Sequence, residues 1–368
     1  MQINFILIPF VIILGLFFSQ RDTQKNRLYY ILLCSIVLIF VAAMRSPEWM
    51  TARYGIDTLV YKNSFEDTIN KSWDELKMSM YERYMLNDGD YDVGFVVFVK
   101  FISIFTKDFY IYSLIADSLF FIPFSIILYR YANNSKQVMF AWIFYIALIQ
   151  TYLIGGARQI LALGFDMFAF LSMIDKKRYR SLLFFVLGIM FHMSSVLFAI
   201  PLLMLYIRLT AQTLKMLHLL SFLFFPLVFL FPNELIVYMG NAINMEKYAN
   251  YGTNGVQGGA STYIFCMALL SLFCLIAIKK NDIQRNEKMK NFYVMAPLFT
   301  LLAPLIRSNG SMDRVTLYFY IYLVLLVPYG IECFAHIRKS VGYFYIIGGL
   351  TFLSLMNGGL EYYFYWQR

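Results

Sequence analysis

Apolar runs recur from one end of this chain to the other, and no stretch between them is long and polar enough to build a water-soluble domain. That recurrence limits the fold more than any other feature. A helix crossing about 30 Å of hydrocarbon needs ~20 predominantly apolar residues. The 368-residue chain offers candidate spans at 3–19, 28–44, 110–130, 138–154, 157–174, 181–191, 193–207, 216–232, 261–278, 291–306, 315–334 and 341–357. Composition agrees: 60% of the residues are hydrophobic and 14% charged, against about 45–50% and about 25% in soluble domains. The expected fold class is all-α, a single polytopic membrane domain over 1–368 with about twelve transmembrane helices. The opening run MQINFILIPFVIILGLFFSQ lacks the positive start of a cleavable signal and reads as a retained first helix.

The net charge of +9, from 31 Lys and Arg, raises nucleic acid as a partner. That reading needs basic residues gathered on one face. Here they fall in short clusters between apolar runs: RDTQKNR (21–27), DKKRYR (175–180), KKNDIQRNEKMK (279–290) and HIRK (336–339). This is the pattern of cytoplasmic loops, so the bilayer is the expected partner and nucleic acid is not. Parity then constrains the topology, because the crossings between the second and third clusters must be even in number. Treating 181–207 as one span gives three crossings; splitting it at His192 gives four and puts His192 at an outer-side turn. GFVVFVKFISIFT (94–106) is too short to span and is assigned as an interfacial or re-entrant helix on the outer side. Two sizeable outer loops remain, 45–93 with ten acids against six Lys and Arg, and 233–260 with the run YGTNGVQGGA.

Cys34, Cys266, Cys274 and Cys333 lie in apolar stretches without C-x-x-C spacing and read as packing residues. The phosphate-binding, dinucleotide, zinc-protease and serine-hydrolase signatures are all missing, so no cofactor is expected, and any substrate arrives already activated in the membrane. Asp88-Gly-Asp90-Tyr-Asp92 begins like a calcium loop, but the twelfth position is Val99 rather than Glu, and no metal is assigned. The 37 Phe and 29 Tyr are attributed to interfacial belts.

The informative residues are charges placed where lipid should exclude them. Burying an arginine in a bilayer costs ~2.5–3.5 kcal/mol even on the lenient scale. Arg158, in GGARQILALGFDMF, opens a helix just after two glycines. Helix N–H groups, the positive end of the dipole and a guanidinium there suit an anionic phosphate group. Gln159 adds a hydrogen-bond donor, and Asp166, two turns on, is the expected ion-pair partner of Arg158. Arg307 and Arg314 flank the outer turn RSNGSMDR, while Arg45 and Arg53 end the second span and open the large loop. Five arginines on the outer side run against the positive-inside bias and point to an anionic ligand. Each also reads as a snorkelling interfacial anchor. His192, in FHMSS, is a candidate general base or a satisfied structural histidine. Asp57 in RYGIDTLVY and Asp92 in DYDVGF are the candidate carboxylates for glycosyl chemistry. Tyr54, Tyr61, Tyr248 and Tyr251 are placed to stack on sugar rings, and His218 and His336 read as incidental.

Taken in order, these pieces resemble the EpsG-type, Wzy-like polysaccharide polymerases of bacteria. The matching elements are Arg53-Tyr-Gly-Ile-Asp57-Thr58 with Tyr61 three residues on, Asp92-Val-Gly94-Phe95, Arg158-Gln159 opening a helix, DKKRYR, FHMSS around His192, and Arg314-x-x-x-Tyr318-Phe319. The resemblance implies a multi-pass protein of the bacterial inner membrane that joins repeat units carried on undecaprenyl pyrophosphate, with flippase and chain-length regulator proteins as partners. By this analogy Arg158, Arg307 and Arg314 hold the pyrophosphate, His192 or Asp57 takes the acceptor proton, and Arg45, Arg53, Tyr61, Asp92, Gln159, Tyr248 and Tyr251 bind substrate. An O-antigen ligase, a glycan acyltransferase, a lipid-linked oligosaccharide flippase or other transporter, and a structural membrane protein share the same plan and stay open.

Overall fold

The computed structural model describes residues 3–47, 56–85, 93–150, 156–242, 250, 261–280, 287–308, 312–333, 342, 348–349 and 362–367. Among these residues every regular element is helical, and the strand-like pairing is confined to one isolated bridge between Arg45 and Phe364. They form two compact units, Met1–Ala199 with Ile346–Arg368, and Ile200–Tyr345. The first holds α1 (Asn4–Ser19), α2 (Gln24–Ala43), α3 (Ile56–Asn70), α4 (Trp73–Met85), α5 (Val93–Ile102), α6 (Phe109–Tyr131), α7 (Ser135–Phe144) running into a π turn at Tyr145–Ile149, α8 (Ala157–Ile174) and α9 (Arg178–Phe191). The division falls at the start of α10 (Ala199–Ile207). Beyond it come α11 (Ala211–Leu230), α12 (Pro232–Ala242), α13 (Ser261–Lys280), α14 (Glu287–Tyr293), α15 (Met295–Leu302) with a 3-10 turn to Arg307, α16 (Met312–Tyr320) and α17 (Leu323–Cys333).

Short polar residues start these helices by accepting first-turn amide protons that have no partner inside the helix. Thr23 accepts from Asn26 at 3.1 Å and Asp108 from Tyr110 at 2.7 Å; Asn134 accepts from Gln137 at 2.9 Å and Thr210 from Thr213 at 3.1 Å. Ser72 and Glu75 cap α4 reciprocally, Ser72 N–H donating to Glu75 at 2.6 Å and Glu75 N–H to Ser72 at 3.2 Å. The bond from Ser72 holds the Glu75 carboxyl below the usual range. Helices α8 and α10 both end in a Schellman turn, with Lys176 at φ 61° and Arg208 at φ 57° in the left-handed position usually given to glycine.

Among the described residues five helices are long and apolar enough to cross a membrane, or six when the pair Arg314–Tyr320 and Leu323–Ile331, bent by 45°, counts as one span. The expected count of about twelve is not confirmed. The apolar segments are helical, but several give helices well short of ~20 residues: α1 has 16, α9 has 14 and α10 has 9. Most of the last expected span, 341–357, lies outside the described residues. The break at His192 does fall where linker parity put it: α9 stops at Phe191, His192 is extended, and a 3-10 turn (Met193–Phe198) follows. The segment assigned as interfacial or re-entrant forms the 10-residue helix α5.

In the first unit the turns carrying basic clusters share one end. Asp22 accepts from the Ser135 amide at 3.1 Å and hydroxyl at 2.9 Å, Arg27 donates to the Ala132 carbonyl, and Arg130 pairs with Asp175 at 3.0 Å. The other end of α2 lies about 30 Å away at 1.5 Å per residue over its 20 residues. Between the two ends, α6 packs on α2 and α8, and α8 packs on α9. The core is aromatic: Phe120, Phe121 and Phe124 of α6 meet Trp142 and Tyr145 with centroids 5.3–6.3 Å apart. All five are buried, so much of the Phe and Tyr content fills helix interfaces rather than interfacial belts.

Gly164 lets α8 lie directly on α6: a Cβ there would sit 2.4 Å from the Leu119 carbonyl oxygen. Because that neighbour is backbone, the helices themselves must part to admit a side chain. Gly164→Val is expected to destabilise the protein by about 1–3 kcal/mol, read as a lower thermal midpoint of purified protein in detergent.

Candidate functional site

The end of the first unit opposite the basic turns gathers Arg45, Asp57, Tyr61, Arg158, Gln159 and His192. Helix α3 presents Thr58, Tyr61, Phe65 and Thr68 as a buried stripe at helical spacing. Tyr61 and Phe65 pack with Phe95 and Val99 of α5, Phe109, Tyr112 and Ala116 of α6, Ala157, Leu161 and Ala162 of α8, and Phe191 of α9. Five helices therefore converge where the sequence carries its motifs. Gly94 belongs to the same junction, because its Cβ would lie 2.7 Å from the Met190 carbonyl and α5 rests on the end of α9. Phe191 is stacked on Phe165 at 5.1 Å and meets Phe98 edge-on at 5.6 Å.

Arg158 sits in the first turn of α8, where Gly156 at the N-cap leaves no capping side chain. Its guanidinium carbon stands 5.9 Å from the Tyr61 ring centroid, a cation–π distance. Tyr61 is 5.8 Å from Phe95. The structure thus joins three separate motif segments around one half-buried arginine. Gln159 is buried beside it, and Asp57 is half-buried in the first turn of α3.

His192 caps the turn that follows it. Its Nδ1 accepts from the Ser194 amide at 3.3 Å and lies 2.6 Å from the Ser194 hydroxyl. The next residue, Ser195, bonds both carboxylate oxygens of buried Asp166, at 2.8 and 2.7 Å. Asp166 was expected to pair with Arg158; it anchors the FHMSS turn to α8 instead. Eight residues of helix separate the two, about 12 Å along the axis.

Arg45 also departs from expectation. It is 3% exposed, with Nε donating to the Thr58 hydroxyl at 3.0 Å, Nη1 to the Ala42 carbonyl, and Nη1 3.7 Å from Asp117 Oδ2. It points inward as a buried ion-pair member rather than outward as an anion-binding residue. The backbone on either side is held by the end of the chain: Ser46 N–H donates to the Tyr363 carbonyl at 2.7 Å, Tyr365 N–H to the Met44 carbonyl at 3.1 Å, and the Tyr362 hydroxyl to the Val41 carbonyl.

In the second unit Arg307 donates to the Phe229 carbonyl at 2.8 Å and lies 4.7 Å from that residue's ring. It satisfies the carbonyl end of α11, where a cation complements the helix dipole. Arg314 is half-buried in α16. Arg53, Asp92, Tyr248 and Tyr251, with Tyr54, lie outside the described residues.

Sequence reasoning passed over several residues that the structure makes central. Asp117 is a buried acid in the apolar run FYIYSLIADSLFF, and a carboxylate at that depth signals a cationic partner. His218, expected to be incidental, is buried in the second unit. Its Nδ1 meets the Tyr293 hydroxyl, and its Nε2 lies 2.8 Å from Ser271 and 3.2 Å from Thr300. No group of three or more His, Cys, Asp or Glu suited to a metal occurs among the described residues.

A model of the EpsG family matches residues 49–364. No curated protein matches the chain, and no solved structure does.

The Asp166–Ser195 link makes a direct prediction. Asp166→Ala and Ser195→Ala should each lower the thermal midpoint, and the double variant should lose less than the sum. The expected coupling is about 0.6–2 kcal/mol, the range for hydrogen bonds between membrane helices.

Proposed function

The chain belongs to the EpsG family and is a membrane protein of polysaccharide biosynthesis; from that premise we propose that it polymerises oligosaccharide repeat units carried on undecaprenyl pyrophosphate. The reaction is a glycosyl transfer. A sugar hydroxyl of one lipid-linked unit attacks the anomeric carbon of the growing chain, the bond to pyrophosphate breaks, and the lipid pyrophosphate leaves with the electron pair. The basic turns lie on the cytoplasmic side, as positive loops do, so the end bearing Arg158, Tyr61 and His192 faces outward.

The observation that carries this reading is the Tyr61–Arg158 contact at 5.9 Å. It brings the family's early tyrosine and its helix-opening arginine together at an uncapped helix N-terminus. Amide dipoles and a guanidinium there stabilise charge on the departing pyrophosphate, the kind of fixed electrostatic aid that often supplies most of a rate enhancement.

His192 and Asp57 divide the remaining roles. A neutral imidazole has one lone-pair nitrogen, and the Ser194 amide donates to Nδ1 at 3.3 Å. Nε2 then carries the proton, which suits hydrogen-bond donation to a phosphate or sugar oxygen better than proton removal. Asp57 is accordingly assigned as the base that accepts the proton of the attacking hydroxyl.

Arg158→Ala is expected to abolish polymer and leave single repeat units on the lipid, seen in gel profiles of surface polysaccharide and in extracted lipid-linked intermediates. A wild-type ladder would remove Arg158 from the mechanism, and long chains stranded on the lipid would identify a ligase instead. His192→Asn keeps an acceptor for the Ser194 amide but lacks Nε2. Polymer loss in a folded His192→Asn protein is the expected result, whereas normal polymer would reduce His192 to a turn cap.

A further inference from the structure

We infer that Arg45, with Asp117 beside it and Thr58 as its tie, is a positioning residue that sets the place of Arg158 through helix α3. This inference rests on the proposed role of Arg158. The first link is short and buried. Arg45 Nε donates to the Thr58 hydroxyl at 3.0 Å, and Thr58 is fully enclosed. Tyr61 lies three residues further along α3, on the same face as Thr58, and its ring carries Arg158 at 5.9 Å. A shift of Thr58 therefore moves the aromatic face on which Arg158 rests.

Geometry separates the roles of the two partners of Arg45. The Asp117 carboxylate stands at 3.7 Å, beyond hydrogen-bond distance, and its Oδ2 has no hydrogen-bond partner among the described residues. Asp117 offsets the buried charge without fixing the guanidinium's direction. Direction comes from Thr58 and the Ala42 carbonyl at the end of α2. The Tyr112 hydroxyl, buried and also without a hydrogen-bond partner among the described residues, belongs to the same interior as Arg45, Asp117 and Tyr61. Removing the Thr58 hydroxyl frees Arg45 to turn toward these two acceptors, and α3 loses its tie to α2.

The test uses the full-length protein purified in detergent, with undecaprenyl pyrophosphate in mixed micelles as the binding probe and polymerisation of lipid-linked repeat units as the activity. Thr58→Val keeps the β-branched shape and removes the hydroxyl. It is expected to weaken probe binding roughly tenfold, the scale of one charge-assisted hydrogen bond, and to raise the KM for the lipid-linked donor more than it lowers kcat. Thr58→Ser should restore binding to within about twofold of wild type, the hydroxyl being what matters. In an Arg158→Lys background Thr58→Val should add nothing, because its effect passes through the arginine. Unchanged affinity in a folded Thr58→Val protein, or the same tenfold loss with Arg158→Lys, overturns the inference. If Thr58→Val does not fold, Arg45→Lys takes its place: it keeps the charge and lacks the Nε donor. The same loss and the same coupling support the inference there, and their absence overturns it. Full activity of Arg158→Ala would instead sink the functional reading. An inactive Arg158→Ala beside a silent Thr58→Val sinks the positioning role alone.

Discussion

Helices α6 and α8 approach backbone to backbone at one point, and the end of the first unit that carries Arg158 depends on that contact. Gly164 brings α8 onto the backbone of α6 at Leu119. Between helices bathed in lipid, apolar burial supplies little preference for one pairing over another, so close van der Waals fit at small residues sets the register. That register is consequential. Asp117, which balances Arg45, lies on α6 two residues before Leu119, and Arg158 opens α8 six residues before Gly164. Sliding one helix along the other would move Asp117, which balances Arg45, relative to half-buried Arg158.

Directional polar bonds complete what packing begins. Three buried groups each tie helices that are distant in sequence: Arg45 joins α2 to α3 and α6, Asp166 joins α8 to the FHMSS turn, and His218 joins α11 to α13, α14 and α15. An unsatisfied polar group in hydrocarbon costs several kcal/mol, so each tie discriminates strongly against arrangements that break it. Two of these clusters contain no opposite charge, being built from hydroxyls around one carboxylate or one imidazole.

Much of this was legible in the sequence. Apolar runs marked the helices, and the sign of the intervening turns located the break at His192. The lengths of individual helices were not legible, because hydropathy registers how apolar a run is and not how many residues stay helical; α9 and α10 are apolar and short. The place of Arg158 in the first turn of a helix was readable, because two glycines precede it. The inward turn of Arg45 was not, since it depends on Asp117 in a helix packed against α2. The distance between Arg158 and Asp166 could have been computed from helix rise alone, and it argues against their pairing. Thr58 belongs to the Arg53-Tyr-Gly-Ile-Asp57-Thr58 element, but nothing in that run marks its hydroxyl as the partner of Arg45.

The bridge between Arg45 and Phe364 bears on how the protein is made. Chains are synthesised and inserted from the amino end, so α1 and α2 are in place long before the segment that pairs with Met44 and Ser46 leaves the ribosome. During all of α10 to α17 the amide of Ser46 and the carbonyl of Met44 lack their final partners. The first unit therefore closes last, although most of it is translated first. The end of this unit that carries Arg45 thus takes its final hydrogen bonds only after the whole second unit has been synthesised.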